Sequence, residues 1–117
     1  MFDATVLNSL RDNQEVSIRT RAQKKPVVIW SVVANGAAFV RSVRGSKGKW
    51  YIAAARDGEV TLEVAGRQIA VRLTPVSDAA TIAAVSQEYL RKYARSPYAK
   101  SMVAADTLPT TLRLEPR

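Results

Sequence analysis

An Asn-Gly pair, Asn35-Gly36, sits between two apolar runs rich in β-branched residues. Val27-Val28-Ile29-Trp30-Ser31-Val32-Val33-Ala34 precedes it and Ala37-Ala38-Phe39-Val40-Arg41-Ser42-Val43 follows it. Both central residues of a type I′ turn need positive φ, which Asn and Gly tolerate, so the stretch predicts a β-hairpin. A two-residue turn also sets the register. Ala34 then faces Ala37, Val32 faces Phe39, Trp30 faces Arg41 and Val28 faces Val43 on one side of the sheet. Ile29 with Ser42 and Val27 with Arg44 share the other side. Both sides are largely apolar, so both need a cover, whether a closed barrel, a helix or a partner subunit.

The rest of the chain supplies further strands and helices. Asp3 is placed to cap a short helix with Val6, Leu7 and Leu10 on its apolar face, ending at Asp12-Asn13. Residues 16–21 alternate as a strand that would pair with the run starting at Val27. Residues 49–55 are alanine-rich and predict two turns of helix, stopped at Arg56-Asp57-Gly58. A second hairpin is expected around Gly66-Arg67 as a type II′ turn, with Val64 facing Ile69, Leu62 facing Val71 and Val60 facing Leu73. Its other face carries Glu59, Thr61, Glu63 and Arg72, which belong in water. After Pro75, Ser77 or Asp78 opens a helix running to about Ala94, with Ile82, Val85, Tyr89 and Tyr93 as its apolar stripe. Ser96-Pro97 breaks it, residues 98–107 read as loop, and Leu112 and Leu114 face inward on a last strand. The class is mainly β with helices: a six-stranded antiparallel β-barrel flanked by two or three helices, one domain over residues 1–117.

Charge is unevenly spread. The chain has 18 basic and 10 acidic residues, a net +8. Between Val16 and Arg56 there is no Asp or Glu, yet that segment holds Arg19, Arg21, Lys24, Lys25, Arg41, Arg44, Lys47, Lys49 and Arg56. The remainder is close to neutral. A cationic segment of this kind suits an anionic partner such as a phosphate, a nucleotide or a nucleic acid.

With no Cys and no His, disulfides, Cys/His zinc sites, thiol nucleophiles and imidazole bases are excluded. Catalysis would then rest on a cofactor that the protein binds and orients. The best stretch for that is Arg41-Ser42-Val43-Arg44-Gly45-Ser46-Lys47-Gly48-Lys49-Trp50. Arg44, Lys47 and Lys49 offer charge, Ser42 and Ser46 hydroxyls, and Gly45 and Gly48 close approach of backbone N–H groups to an anion. A helix starting near Trp50 would point its positive end there too, and Trp50 offers a flat face to a ring system. Thr20, Arg21, Lys24 and Lys25 form a second polar cluster. Arg41 is expected to stack on Trp30 across the hairpin. A nucleic acid is disfavoured, since only Trp50 and Tyr51 lie by the basic loop and single-strand binders stack several bases. No membrane helix or signal peptide is evident in the sequence, so a cytoplasmic protein is expected.

Several stretches together resemble a known family. They are Ile29-Trp30-Ser31-Val32-Val33, Val40-Arg41-Ser42-Val43-Arg44-Gly45, Trp50-Tyr51, Glu88-Tyr89-Leu90-Arg91-Lys92-Tyr93, Met102-Val103-Ala104 and Thr111-Leu112-Arg113-Leu114-Glu115-Pro116-Arg117. The pattern is similar to a small uncharacterised bacterial family with a split β-barrel of the FMN-binding kind. Its wider relatives are deazaflavin-dependent nitroreductases and pyridoxamine-phosphate-oxidase-like flavoproteins. The resemblance implies a homodimer with FMN or a deazaflavin near the subunit interface, and hydride transfer to a small electron-poor substrate. By it, Thr20, Arg21, Lys24 and Lys25 would hold the phosphate-bearing tail of this phosphorylated ring cofactor. Ser42, Arg44, Gly45, Lys49 and Trp50 would form the second binding stretch. The chain departs from the family at Ile52, where members often carry arginine. The alternative is a non-catalytic binder of a phosphorylated ligand or nucleic acid through the basic segment.

Overall fold

The computed structural model describes residues 2–23 and 25–117. Among them are three α-helices: α1 (Ala4–Asp12), α2 (Lys49–Asp57) and α3 (Ala79–Lys92). The strands are β1 (Val16–Arg19), β2 (Val27–Ile29), β3 (Ser31–Ala34), β4 (Ala37–Val40), β5 (Glu59–Val64), β6 (Arg67–Pro75) and β7 (Leu112–Pro116). They form one antiparallel sheet in the order β2-β1-β5-β6-β7-β4-β3. Its two edges, β2 and β3, are consecutive pieces of a single run separated by Trp30. The sheet is therefore a nearly closed barrel whose seam is one kinked strand. Six apolar runs make seven strands among the described residues because the first hairpin arm changes partner halfway.

The Asn-Gly hairpin forms as expected near its turn. Asn35 and Gly36 both take positive φ, 51° and 77°. Ala34 pairs with Ala37, Val32 with Phe39 and Ser31 with Val40. Beyond that point the expected ladder stops. Val28 does not pair with Val43, and neither Trp30–Arg41, Ile29–Ser42 nor Val27–Arg44 is a cross-strand neighbour. Instead β2 turns to β1, placing Ile29 opposite Val16 and Val27 opposite Ile18.

The second hairpin also differs in detail. Its turn is Ala65-Gly66, both at positive φ (51° and 78°), which is type I′ rather than the II′ expected at Gly66-Arg67. Leu62 consequently faces Ile69 and Val60 faces Val71. A slip of two residues leaves every side chain on its expected face, because the strand period is two. It also brings Glu59 opposite Arg72, a favourable cross-strand pair.

Both faces of the first hairpin are covered. Inside the barrel, Val33, Ala38 and Val40 join Ile18, Leu62, Val71 and Leu114, with α1 contributing Val6 and Leu10 and α2 contributing Trp50 and Ala54. Outside, Val32 and Phe39 pack against Val85 and Tyr89 of α3 and Tyr93, the C-cap residue of that helix. The helix ends follow their sequence signals. Asp3 accepts from Val6 N at 3.0 Å and Asp78 from Thr81 N at 3.0 Å, each satisfying a first-turn donor.

The kink at Trp30 is secured by α3. Trp30 stacks face to face on Tyr93, with centroids 4.0 Å apart. The peptide groups at the kink are taken by α3 side chains. Tyr89 donates its hydroxyl to Trp30 O (3.1 Å), and Ser31 N donates to the Tyr93 hydroxyl (3.2 Å). Tyr93 Oη also lies 2.6 Å from Gln14 O, and Lys92 Nζ donates to Leu10 O and Ser31 O (2.8 and 2.7 Å). Burial pushes the Lys92 amine down to about 8 and raises both tyrosine hydroxyls above the ordinary phenol value.

These shifts give stability a defined pH dependence. Between about pH 8 and 10 the unfolded chain holds the Lys92 proton more tightly than the folded one, so stability rises. Above about pH 10 the unfolded tyrosines ionise while Tyr89 and Tyr93 keep their protons, so stability falls by up to about 1.4 kcal/mol per pH unit for each. Urea midpoints measured across this range should pass through a maximum near pH 10. In Tyr89→Phe the alkaline decline should be shallower.

Candidate functional site

Where the first hairpin peels apart it leaves a cleft of about 700 Å³. One lip is β2 with the kink residue: Val27, Val28, Ile29 and Trp30. The other is the segment after β4: Arg41, Ser42, Val43 and Arg44. These are the two sets of residues that the sequence pattern pairs as ladder neighbours. Gly48, Lys49 and Trp50 close one end at the start of α2, and Gln23, Tyr98 and Met102 complete the lining. Among the described residues that line it, none is acidic.

Arg41 explains why the second lip leaves the sheet. Its guanidinium is buried, with 1% of its surface exposed, and it reaches away from Trp30 towards α3. Nε donates to Thr111 Oγ1 (2.8 Å), Nη1 to Ser86 Oγ and Met102 O (2.9 Å each), and Nη2 to Ile82 O (2.9 Å). The group stands over Tyr89, 5.5 Å from the ring centroid, and not over Trp30 as expected. Four of its five N–H donors are thus used on neutral acceptors. Burial pushes its pKa below the ordinary arginine value, against the opposing effect of the Tyr89 hydroxyl. A guanidinium cannot discharge at neutral pH, so a positive charge sits beside the cleft with no carboxylate hydrogen-bonded to it.

The next residues are held by the loop before β7. Ser42 N donates to Thr110 Oγ1 (2.9 Å). Gly45 lies buried at φ +67°, and a Cβ there would come to 3.0 Å from Asp106 O, so only glycine fits without displacement. Gly48 meets a similar restriction, since a Cβ there would collide with Ser42 Oγ. That hydroxyl is buried and has no hydrogen-bond partner among the described residues. Gln23 Oε1 is a second buried oxygen in the lining without a partner among them.

The cationic residues singled out in the sequence do not all converge here. Ser42, Arg44, Lys49 and Trp50 line the cleft. Gly45 is buried and Lys47 exposed, both outside the lining. Thr20 is buried and accepts from Gln23 N (2.9 Å), which shapes the turn that presents Gln23. Thr20 and Arg21 face a separate depression with Arg19, Asp57, Glu59 and Arg117. There the exposed Arg21 guanidinium lies 3.7 Å from Asp57. Lys25 is exposed and lines neither hollow, and Lys24 lies outside the described residues. Ile52 is 44% exposed on α2, away from the cleft lining. Sequence reading missed Gln23, Tyr98 and Met102. Tyr98 carried one usable signal, a large aromatic beside the helix-breaking Ser96-Pro97.

Arg41 gives the site a sharp stability test. Arg41→Met should cost about 3–5 kcal/mol, because four acceptors lose their donor inside the protein. Arg41→Lys should recover little of this, since an ammonium cannot reproduce the planar fork. Urea unfolding of both variants checks the pair.

The fold and the sequence both have counterparts. The structure is similar to that of the conserved hypothetical protein Rv2991 from Mycobacterium tuberculosis, with TM-score 0.61 and 13% identity over 97% of this chain and 78% of that one. It is also similar to Campylobacter jejuni ChuZ, with TM-score 0.69 and 10% identity over 100% of this chain. The chain spans about half of ChuZ, 55% of its length. At these identities the likeness establishes the split-barrel-like fold. No curated protein matches the sequence at a significant level. The family model described as "Uncharacterized protein conserved in bacteria (DUF2255)" matches residues 6–114. Among the described residues no helix is long and apolar enough to cross a membrane, and no cluster of acidic side chains could hold a metal ion.

Proposed function

The chain belongs to this bacterial family, DUF2255, and we propose that its cleft holds a phosphorylated planar ring cofactor, FMN or a deazaflavin, for oxidoreductase chemistry. The observation that carries this reading is the composition of the cleft. Trp30, Trp50, Tyr98, Val27, Val28 and Val43 form an apolar and aromatic surface, and Arg41, Arg44 and Lys49 add positive charge without an acidic neighbour in the lining. That combination suits a flat ring with an anionic tail, and the volume falls in the usual range for such ligands.

The residues present fit the group. The unpartnered Ser42 hydroxyl can donate to an anionic oxygen, and the unpartnered Gln23 carboxamide oxygen can accept from a ring N–H. A flavin-type ring, when bound, supplies hydride transfer, chemistry that no amino-acid side chain performs. Arg44 and Lys49 would neutralise the tail, and Val28, Val43 and Trp30 would exclude water from the ring. The partner in turnover would be a small electron-poor substrate.

A homodimer belongs to the same proposal. Val28, Val43 and Tyr98 are 58%, 52% and 69% exposed around the cleft mouth. A second copy of the chain seated on this apolar rim would cover it and close the cleft. Binding of a phosphorylated ligand without redox chemistry is the second reading. It is favoured by the absence of any acidic group in the lining to act as acid or base, and a bound ring that never turns over would establish it.

Titration with FMN and with a deazaflavin, followed by tryptophan fluorescence, should give a dissociation constant tighter than about 100 μM for one of them, about −5.5 kcal/mol. Tyr98→Ala, at an exposed position, should weaken binding several-fold without changing the melting temperature. Arg44→Ala and Lys49→Ala should each weaken it about three- to tenfold and flatten its dependence on salt. Failure of both rings to bind the wild-type protein would remove this reading.

A further inference from the structure

Ser42 and Gly48 meet at one end of the cleft in a way that packing alone does not require. Gly48 is the N-cap of α2 and leaves that helix with no side-chain cap, so its first-turn N–H groups have no side-chain acceptor. Ser42 Oγ occupies the space a side chain at Gly48 would need. The Ser42 residue is 1% exposed and its hydroxyl has no partner among the described residues. A buried hydroxyl without a partner is costly and a helix start without a side-chain cap forgoes stabilisation, so each would gain from an acceptor. Lys49 and Arg44 line the same cleft.

We infer that this corner is a seat for a terminal phosphate monoester, formed by Ser42 Oγ and the opening N–H groups of α2, with Gly48 making room for the Ser42 hydroxyl. The donors present are all of one kind: a hydroxyl, backbone amides and two cations. An oxyanion accepts from every one of them, whereas a neutral group would leave most unsatisfied. A dianion gains most, because the helix end and both side chains are positive. The seat deepens the reading of the cleft as a cofactor site. It also orients the ligand, tail at α2 and ring towards Trp30 and Tyr98.

Two measurements separate the seat from the ring site. The first is a titration of the wild-type protein with inorganic phosphate, followed by amide NMR at constant ionic strength. It should shift Ser42, Lys49 and Trp50 saturably, and the shifts should vanish in Ser42→Ala. The second compares FMN with riboflavin, which share a ring and differ in the phosphate. FMN should bind at least about tenfold tighter. Ser42→Ala should shrink that ratio several-fold and leave riboflavin unchanged. Gly48→Ala on the Ser42→Ala background, where the methyl takes the place of the lost hydroxyl, should leave the ratio as low as Ser42→Ala alone does. Equal affinities for FMN and riboflavin would overturn the seat and leave the ring site standing. So would phosphate shifts that miss residues 42–50. Phosphate shifts at these residues with no binding of either flavin would uphold the seat and remove the cofactor reading.

Discussion

A strand that changes partner in mid-run closes this barrel. Val27–Ile29 belongs to one edge of the sheet and Ser31–Ala34 to the other. The peptide groups between them leave a regular ladder, and a buried peptide group without a partner is expensive. Helix α3 removes that expense. Tyr89, Lys92 and Tyr93 deliver hydroxyl and ammonium groups to Trp30 and Ser31, and the Tyr93 ring holds Trp30 flat against it. These contacts span about sixty residues of sequence, so the kink and the helix depend on one another.

The same separation produces the cleft. Once β2 pairs with β1, the residues after Val40 have no strand to lie against. Arg41 turns its guanidinium under α3, where four neutral acceptors bind it, and carries Ser42, Val43 and Arg44 away from β2. The gap that opens is lined by residues chosen for a sheet, hence its apolar character. At its far end α2 adds the positive helix start and Lys49. Scaffold and site are therefore one feature: breaking the hairpin makes the barrel closable and the cleft available.

Much of the fold was legible along the chain. The Asn35-Gly36 turn, the caps at Asp3 and Asp78, the inward faces of β5, β6 and β7 and the tyrosine stripe of α3 all follow from local chemistry. The Ala65-Gly66 turn was displaced by one residue from its expected place, because Gly tolerates either position of a two-residue turn and the strand period hides a slip of two. The site was legible in part. Ser42, Arg44, Lys49 and Trp50 lie in one contiguous stretch and share the cleft. Thr20 and Arg21 sit in another hollow, since proximity of strands in sequence does not say which end of a barrel their side chains reach. Gln23, Tyr98 and Met102 come from distant segments and carry no signal that points to a common wall.

What the sequence determined by itself is local: the turn at Asn35-Gly36, which face of each strand is apolar, where helices begin, and that positive charge is concentrated between Val16 and Arg56 without an acid among it. Those follow from backbone sterics, side-chain periodicity and simple counting. Only the tertiary structure decided that the first hairpin arm serves two sheet edges and that Arg41 is buried under α3. Each of these is a choice between partners of nearly equal local merit. It is settled by which arrangement leaves the fewest buried polar groups unsatisfied across segments far apart in the chain.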